Sequence, residues 1–261
     1  DSSINRLLVS SSNLGTAITI TAASLVCTNV IDFMDITGAG AATWTTGASG
    51  DTYVGDCDGN SGITMTTAAT QTATGTASFT SSTHAWSGAG GASRVPLPQD
   101  DVVVNNAFIA GRTVTMDMPR AGKSISFNGA ANTPTVACTA GVGCLFGSLD
   151  LTSIGTFTGN TVRFQGRSSY TLTSAGAVFP SVVGIYAPSG TVVLTDALTT
   201  TGQFEMAGGT LTTSGFSVTA PSFILNTSSA LARTLNLGSS TITLTSTGTI
   251  YTANAPTPTI N

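Results

Sequence analysis

Charged residues are scarce in this chain, and their scarcity argues against several classes of protein. Asp, Glu, Lys and Arg make up 8% of the 261 residues, with one Lys (Lys123), one Glu (Glu205) and one His (His84). Surface helices draw on Glu, Lys and Arg, so we expect almost no helix. The net charge is −4 and there is no basic cluster. We therefore expect no binding to nucleic acid, which requires the neutralisation of phosphates.

Long apolar runs are also missing. No run reaches the roughly 18 residues that a membrane-spanning helix needs, so we expect no membrane span. Apolar residues still make up 41% of the chain, which is enough for a sizeable core and unlike a disordered chain. Thr, Ser and Gly fill most other positions, and Thr suits a pleated surface while Gly and Ser suit turns. The composition predicts an all-β fold.

Short strand-like segments, separated by Gly, Ser, Asn or Pro, fill residues 190–252. Their apolar residues form three interleaved series, which are Val192, Leu211, Leu235; Leu198, Phe216, Ile242; and Phe204, Ile224, Ile250. The steps of 18 to 26 residues within each series are typical of one coil of a three-faced β-solenoid. Such a coil buries its apolar face only by stacking on its neighbours. The pattern predicts a right-handed parallel β-helix.

The first third of the chain has a different composition. Residues 37–62 are glycine-rich, and residues 63–83 are almost entirely Thr, Ala and Ser. A turn-rich stretch follows His84, before the next strand begins near Asp101. We therefore predict an N-terminal β region with glycine-rich loops over 1–85 and a β-solenoid over 86–261.

The stretch from 84 to 104 carries a distinctive pattern. It reads His84-x-Trp86-Ser87, then Gly90-Gly91-Ala92, then Pro96-x-Pro98-x-Asp100-Asp101-Val102-Val103-Val104. Together with the Thr-Leu-x-Leu coils of 210–244, it resembles the repetitive β-helical structural proteins of tailed bacteriophages and related bacterial surface proteins. Ala85 departs from the family pattern, in which His runs directly into Trp. The resemblance covers about residues 84–252. It implies a structural component at a virion surface or outside the cell, and it carries no catalytic motif.

Four cysteines are present, and two interpretations of them stay open. Cys138 and Cys144 bracket a flexible Thr-Ala-Gly-Val-Gly loop that could close as a disulfide, and Cys27 with Cys57 would form a second bridge. Alternatively, all four are buried thiols, since small apolar residues stack inside solenoids. No His lies near any Cys in the sequence, which argues against a zinc site.

One acidic turn has the composition of a calcium loop. Asp56, Asp58 and Asn60 offer oxygen ligands at alternating positions, with Gly59 for a sharp turn, so calcium is a possible cofactor. The bidentate Glu of helix-loop-helix calcium sites is missing. A plain acidic turn beside Cys57 has the same composition and is the competing interpretation.

Catalysis is not expected from the arrangement of acids. Glycoside hydrolysis needs two carboxyl groups about 5 to 10 Å apart. Asp32 and Asp35 lie three residues apart on a strand and should face opposite sides, and the adjacent Asp100 and Asp101 should also diverge. The remaining acids of the solenoid are spread one per segment, namely Asp117, Asp150, Asp196 and Glu205.

The single histidine and the two tryptophans have two interpretations each. His84 has no Ser and Asp arrangement of a nucleophile motif, and we expect it to pack beside Trp86. Trp44 and Trp86 could stack on sugar rings or cap the open end of the solenoid.

The sequence therefore predicts a protein that is not an enzyme. Our first hypothesis is a structural component of a virion, such as a fibre, appendage or decoration protein, or of another surface assembly. The alternatives are a bacterial secreted adhesin or extracellular filament subunit, and a glycan-binding or glycan-degrading β-helix protein. The expected partners are copies of the same chain, as a trimer or a stack, and other virion or surface proteins, with a cell-surface glycan as a further candidate.

Overall fold

The computed structural model of the protein describes residues 6–25, 30–42, 44, 53–89, 93–225, 231–247, 251–253 and 258–261. The fold is all-β, without an α-helix among these residues, and it winds through about ten parallel turns. The predicted right-handed parallel β-helix is confirmed. Within the described ranges, no helical segment has the length and apolar character that a membrane crossing would require.

The N-terminal region is itself a small solenoid. Its strands, among the residues described, are β1 (Leu7–Ser10), β2 (Ile18–Thr21), β3 (Ile31–Met34), β4 (Ile36–Ala39) and β5 (Val54–Asp56). Strands β1, β3 and β5 form one parallel sheet, and β2 pairs in parallel with β4. These pairings bring successive coils into register, and the small core between the sheets contains Phe33 and Trp44.

The main solenoid contains the remaining strands. They are β6 (Thr70–Thr72), β7 (Phe79–Thr80), β8 (Ser87–Gly88), β9 (Asp101–Val103), β10 (Thr113–Met116), β11 (Arg120–Gly122), β12 (Ser124–Ser126), β13 (Thr135–Leu145), β14 (Leu149–Asp150), β15 (Thr156–Phe164), β16 (Ser169–Thr173), β17 (Val178–Phe179), β18 (Val183–Leu194), β19 (Leu198–Thr200), β20 (Phe204–Thr212), β21 (Val218–Ala220), β22 (Phe223–Leu225), β23 (Arg233–Asn236), β24 (Ile242–Leu244), β25 (Tyr251–Ala253) and β26 (Thr259–Ile260). Strand β6 pairs with β9, and β7 pairs with β10. The ladder therefore extends back to Thr70, upstream of residue 86, where the sequence pattern placed its start.

The strands form three faces, as the sequence predicted. One face is an unbroken ladder of nine parallel strands in the order β6, β9, β12, β14, β16, β18, β20, β23 and β26, which we call the long sheet. Strands β13, β15, β18 and β20 bend around corners, and each contributes to two faces. The register of the β13 ladder shifts between Cys138 and Val142, and that of β18 shifts between Tyr186 and Thr191, where the chain turns.

One of the three predicted core series is confirmed residue by residue. Val192 pairs with Leu211, and Leu211 pairs with Leu235, and all three side chains are at most 2% exposed. They form one internal column of the long sheet. The apolar side chains of successive coils therefore stack directly, as the solenoid prediction required.

The other two predicted series contain errors of position. Leu198 pairs with Val218, which pairs with Ile242, whereas Phe216 is 37% exposed in the preceding turn. Phe204 pairs with Phe223. Ile224 lies on the opposite side of β22, because neighbouring side chains of a strand alternate and a one-residue slip moves a side chain to the other face. Ile250 lies outside the described residues.

Candidate functional site

The small solenoid contacts the main solenoid through a buried carboxylate. Asp32 of β3 is completely buried, and its Oδ2 atom accepts a hydrogen bond from Nε of Arg6 at 2.9 Å. The guanidinium of Arg120, on β11 of the main solenoid, binds the same oxygen. Arg6 also donates to the carbonyl of Pro96 at 2.9 Å, and Arg120 donates to the carbonyl of Arg6 at 2.7 Å. Two arginines and one carboxylate therefore connect the two units.

A second ion pair lies further along the same junction. Arg167 contacts the Asp35 carboxylate, with Nη2 to Oδ1 at 2.6 Å, and its backbone N–H donates to Asp58 at 3.1 Å. Asp35 has a φ of 58°, so the chain turns there instead of alternating. The expectation that Asp32 and Asp35 face opposite sides was therefore wrong, because both carboxylates bind arginines of the main solenoid.

The predicted calcium ligands form a hydrogen-bonded turn. Asp56 Oδ1 accepts from the Asp58 N–H at 2.9 Å and from the Asn60 amide at 2.8 Å. Asn60 Oδ1 accepts from the Ile36 N–H at 2.9 Å. Burial raises the pKa of Asp58. Among the residues that the structure describes, no three His, Cys, Asp or Glu side chains group as a metal site. Calcium at this turn stays a prediction, and its expected ligand atoms already have hydrogen-bond partners.

The predicted Cys138–Cys144 disulfide is not formed. Both cysteines are free thiols. Cys138 is buried before the corner of β13, and Cys144 lies after that corner, in register with Arg120 and Arg163. Cys57 is also a free thiol, and Cys27 lies outside the described residues. Burial raises the pKa of all three thiols, and that of Cys144 reaches about 11.

The histidine and the tryptophans have packing roles. His84 stacks on Phe79 at 4.0 Å between ring centroids, and its Nε2 atom accepts a hydrogen bond from the Thr74 N–H at 3.1 Å. Burial lowers the pKa of His84. Trp86 is 5% exposed beside this pair, and Trp44 is 6% exposed in the core of the small solenoid. With both indoles buried, neither ring is placed to stack on a sugar.

Several acids of the main solenoid accept structural hydrogen bonds. Asp100 is buried and binds Nη2 of Arg94 at 2.6 Å. Asp117 accepts from the hydroxyl of Ser81 at 3.0 Å. Asp196 accepts from the backbone N–H of Ser174 in the preceding coil at 2.8 Å. These carboxylates hold turns and neighbouring coils together.

The C-terminal half of the long sheet presents a regular polar surface, which we call the hydroxyl face. It has two ranks of outward-facing residues, Ser169, Thr191, Thr210, Thr234 and Thr259 in the first and Thr171, Val193, Thr212, Asn236 and Asn261 in the second. In the second rank, Asn261 donates to Asn236 at 2.8 Å and Asn236 donates to Thr212 at 3.2 Å. Every residue of this face is uncharged.

Two depressions border the hydroxyl face. The first, of about 360 Å³, is lined by Gly15, Arg167, Pro188, Ser189, Gly209, Thr210, Leu231, Ala232 and Thr234. The second, of about 550 Å³, is lined by Thr212, Ser214, Gly215, Asn236, Leu237, Gly238, Ser239 and Asn261.

The hydroxyl face was not recognised from sequence, although its signal was present. Its threonines flank the apolar residues Val192, Leu211 and Leu235 of the confirmed column.

No protein-family model, curated protein or solved structure matches the chain.

Proposed function

We propose that this protein is a non-enzymatic structural component of a virion, such as a fibre, appendage or decoration protein, or of another surface assembly. A position at the virion surface or outside the cell is part of the proposal. The observation that carries it is the use of the carboxylates. Asp32, Asp35 and Asp100 are buried in ion pairs with arginines, so these carboxylates connect parts of the fold and do not face solvent.

The two junction contacts support a scaffolding role. Arg120 and Arg167 lie about two coils apart on the main solenoid, and they bind Asp32 and Asp35 at the end of β3 in the small one. Buried ion pairs add little net stability, so our hypothesis is that these two contacts serve to fix the orientation of the small solenoid. A rod with a second unit held at a fixed orientation suits a component that presents a defined surface to its neighbours in an assembly.

The same structural observations support a second candidate function, that of a bacterial adhesin or extracellular filament subunit. The neighbouring genes separate it from the virion component, since capsid and tail genes favour the virion and secretion genes favour the adhesin. Partners in either case are further copies of the chain, as a trimer or a stack, and other proteins of the assembly.

Labelling of intact particles tests the assignment. Antibodies raised against the purified chain should decorate virions or surface filaments at regular positions in electron micrographs. Label found solely on unassembled protein would contradict the structural role.

An activity assay tests the non-enzymatic part of the proposal. The purified chain should release neither reducing ends nor unsaturated sugars from surface polysaccharides of the host, while an authentic polysaccharide lyase does so under the same conditions. Release that tracks the chain through purification and is lost in a carboxylate variant such as Asp101→Asn would show that the protein is an enzyme.

A further inference from the structure

The hydroxyl face repeats in two directions. Parallel strands lie about 4.8 Å apart, and two residues on the same side of one strand lie about 6.6 Å apart. Ser169 pairs with Thr191, Thr191 with Thr210, and Thr210 with Thr234. Thr234 then pairs with Thr259. The first rank thus crosses five successive coils without a shift in register, and the second rank follows it two residues further along each coil.

The chemistry of this face is uniform. Its ten residues are Ser, Thr, Val or Asn, so each coil presents hydroxyl, amide or methyl groups and no charge. The N-terminal half of the same sheet differs, because Asp101 and Asp150 lie among its outward-facing positions. The uncharged surface is therefore confined to the coils from β16 to β26.

The sheet beneath the face is firmly supported. Tyr170, Val192, Leu211 and Leu235 stack behind it, and each is at most 4% exposed. β-Branched threonines have few χ1 rotamers, which keeps their hydroxyl and methyl groups in fixed positions. The outer surface is thus an ordered two-dimensional array of small groups.

We propose that the hydroxyl face binds ice. Water held by successive threonines would repeat at these two spacings, as water does on the surface of a growing crystal. Ice is an uncharged ligand that repeats in two dimensions, and this face is an uncharged surface that repeats in two dimensions. A charged macromolecule would find no complementary charge there. A second protein would find little apolar area, because the central part of a protein interface is rich in aromatic and other apolar side chains.

Freezing behaviour of the full chain tests this inference. The purified protein should shape single ice crystals into facets and separate their melting and freezing temperatures. Thr210→Tyr places a bulky ring at the centre of the first rank. We expect this variant to lose most of the difference between the melting and freezing temperatures. Thr139→Tyr is the matched control, because Thr139 is exposed at the corner of β13, away from this face. This variant should keep the difference between the melting and freezing temperatures.

Further measurements keep the test decisive. Circular dichroism melting shows whether each variant folds, and Thr212→Lys replaces Thr210→Tyr if the latter does not fold. Fluorescently labelled wild-type protein should coat a growing ice surface, whereas the folded face variant should be excluded from it. No effect of the wild type on ice, or equal effects of the wild type and both face variants, would overturn the proposal. The proposal would also be overturned if the wild type leaves ice unchanged and sedimentation shows that it self-associates while the face variants do not.

Discussion

The two solenoids of this protein share one architecture but are stabilised in different ways. In the main solenoid, columns such as Val192, Leu211 and Leu235 run through successive coils and bury apolar area continuously. The described core of the small solenoid is a short cluster around Phe33 and Trp44. Short solenoids bury less apolar surface per residue, since each coil depends on its neighbours. The comparison indicates that the small unit depends on its contact with the large one.

That contact is electrostatic and directional. Asp32 is fully buried between two guanidinium groups, and removing it would take away the carboxylate that both arginines contact. A buried pair is costly to break from one side, because the remaining charge is desolvated and unpaired. The main solenoid should therefore be sensitive to apolar substitutions, and the small one to loss of charge at the junction.

The largest expected effect comes from a charge placed in the main column. Leu211→Asp buries an unpaired carboxylate at a position with no exposure, and we expect loss of cooperative folding. Thr212→Asp is the matched control on the outward side of the same strand and should stay folded. Circular dichroism and thermal unfolding distinguish the two variants. A cooperative transition for Leu211→Asp near that of the wild type would argue against the continuous column.

A smaller effect is expected at the junction. Asp32→Ala should destabilise the protein by about 3–5 kcal/mol, the usual cost of breaking a buried ion pair from one side. Urea denaturation measures this loss, and limited proteolysis of residues 60–70 should become faster if the small solenoid detaches. The exposed Asp101→Ala serves as the control. An equal change in both variants would show that the junction does not depend on the Asp32 carboxylate.

Much of the fold could be predicted because each coil repeats a short local sequence pattern. Thr-Leu-x-Leu segments set the coil length, and Val192, Leu211 and Leu235 could be aligned by spacing alone. The sequence could not show that Val218 occupies the core position predicted for Phe216, since the length of the turn decides which apolar residue of a coil faces inward. The pairing of Asp32 with Arg120 was also invisible, because it joins residues that lie 88 positions apart in different solenoids. The sequence also did not reveal that Cys138 and Cys144 are free thiols of one bent strand, since the residues between them have the composition of a loop.

The smallest predicted effect concerns the pH dependence of the junction. Burial raises the pKa of Asp58 above its unfolded value, so the folded protein takes up this proton more readily than the unfolded chain. The ionised carboxylate therefore opposes folding at neutral pH. This cost shrinks once the pH falls below the folded pKa, and it is gone below the unfolded pKa. Asn at this position keeps an oxygen that can accept the Arg167 N–H, and it removes the titration. We expect Asp58→Asn to be at least as stable as the wild type at neutral pH, with the difference shrinking as pH falls. Urea denaturation across the acidic range measures it, with Asp101→Asn as control. A variant that is less stable at neutral pH would mean that the charge of Asp58 beside Arg167 outweighs its burial.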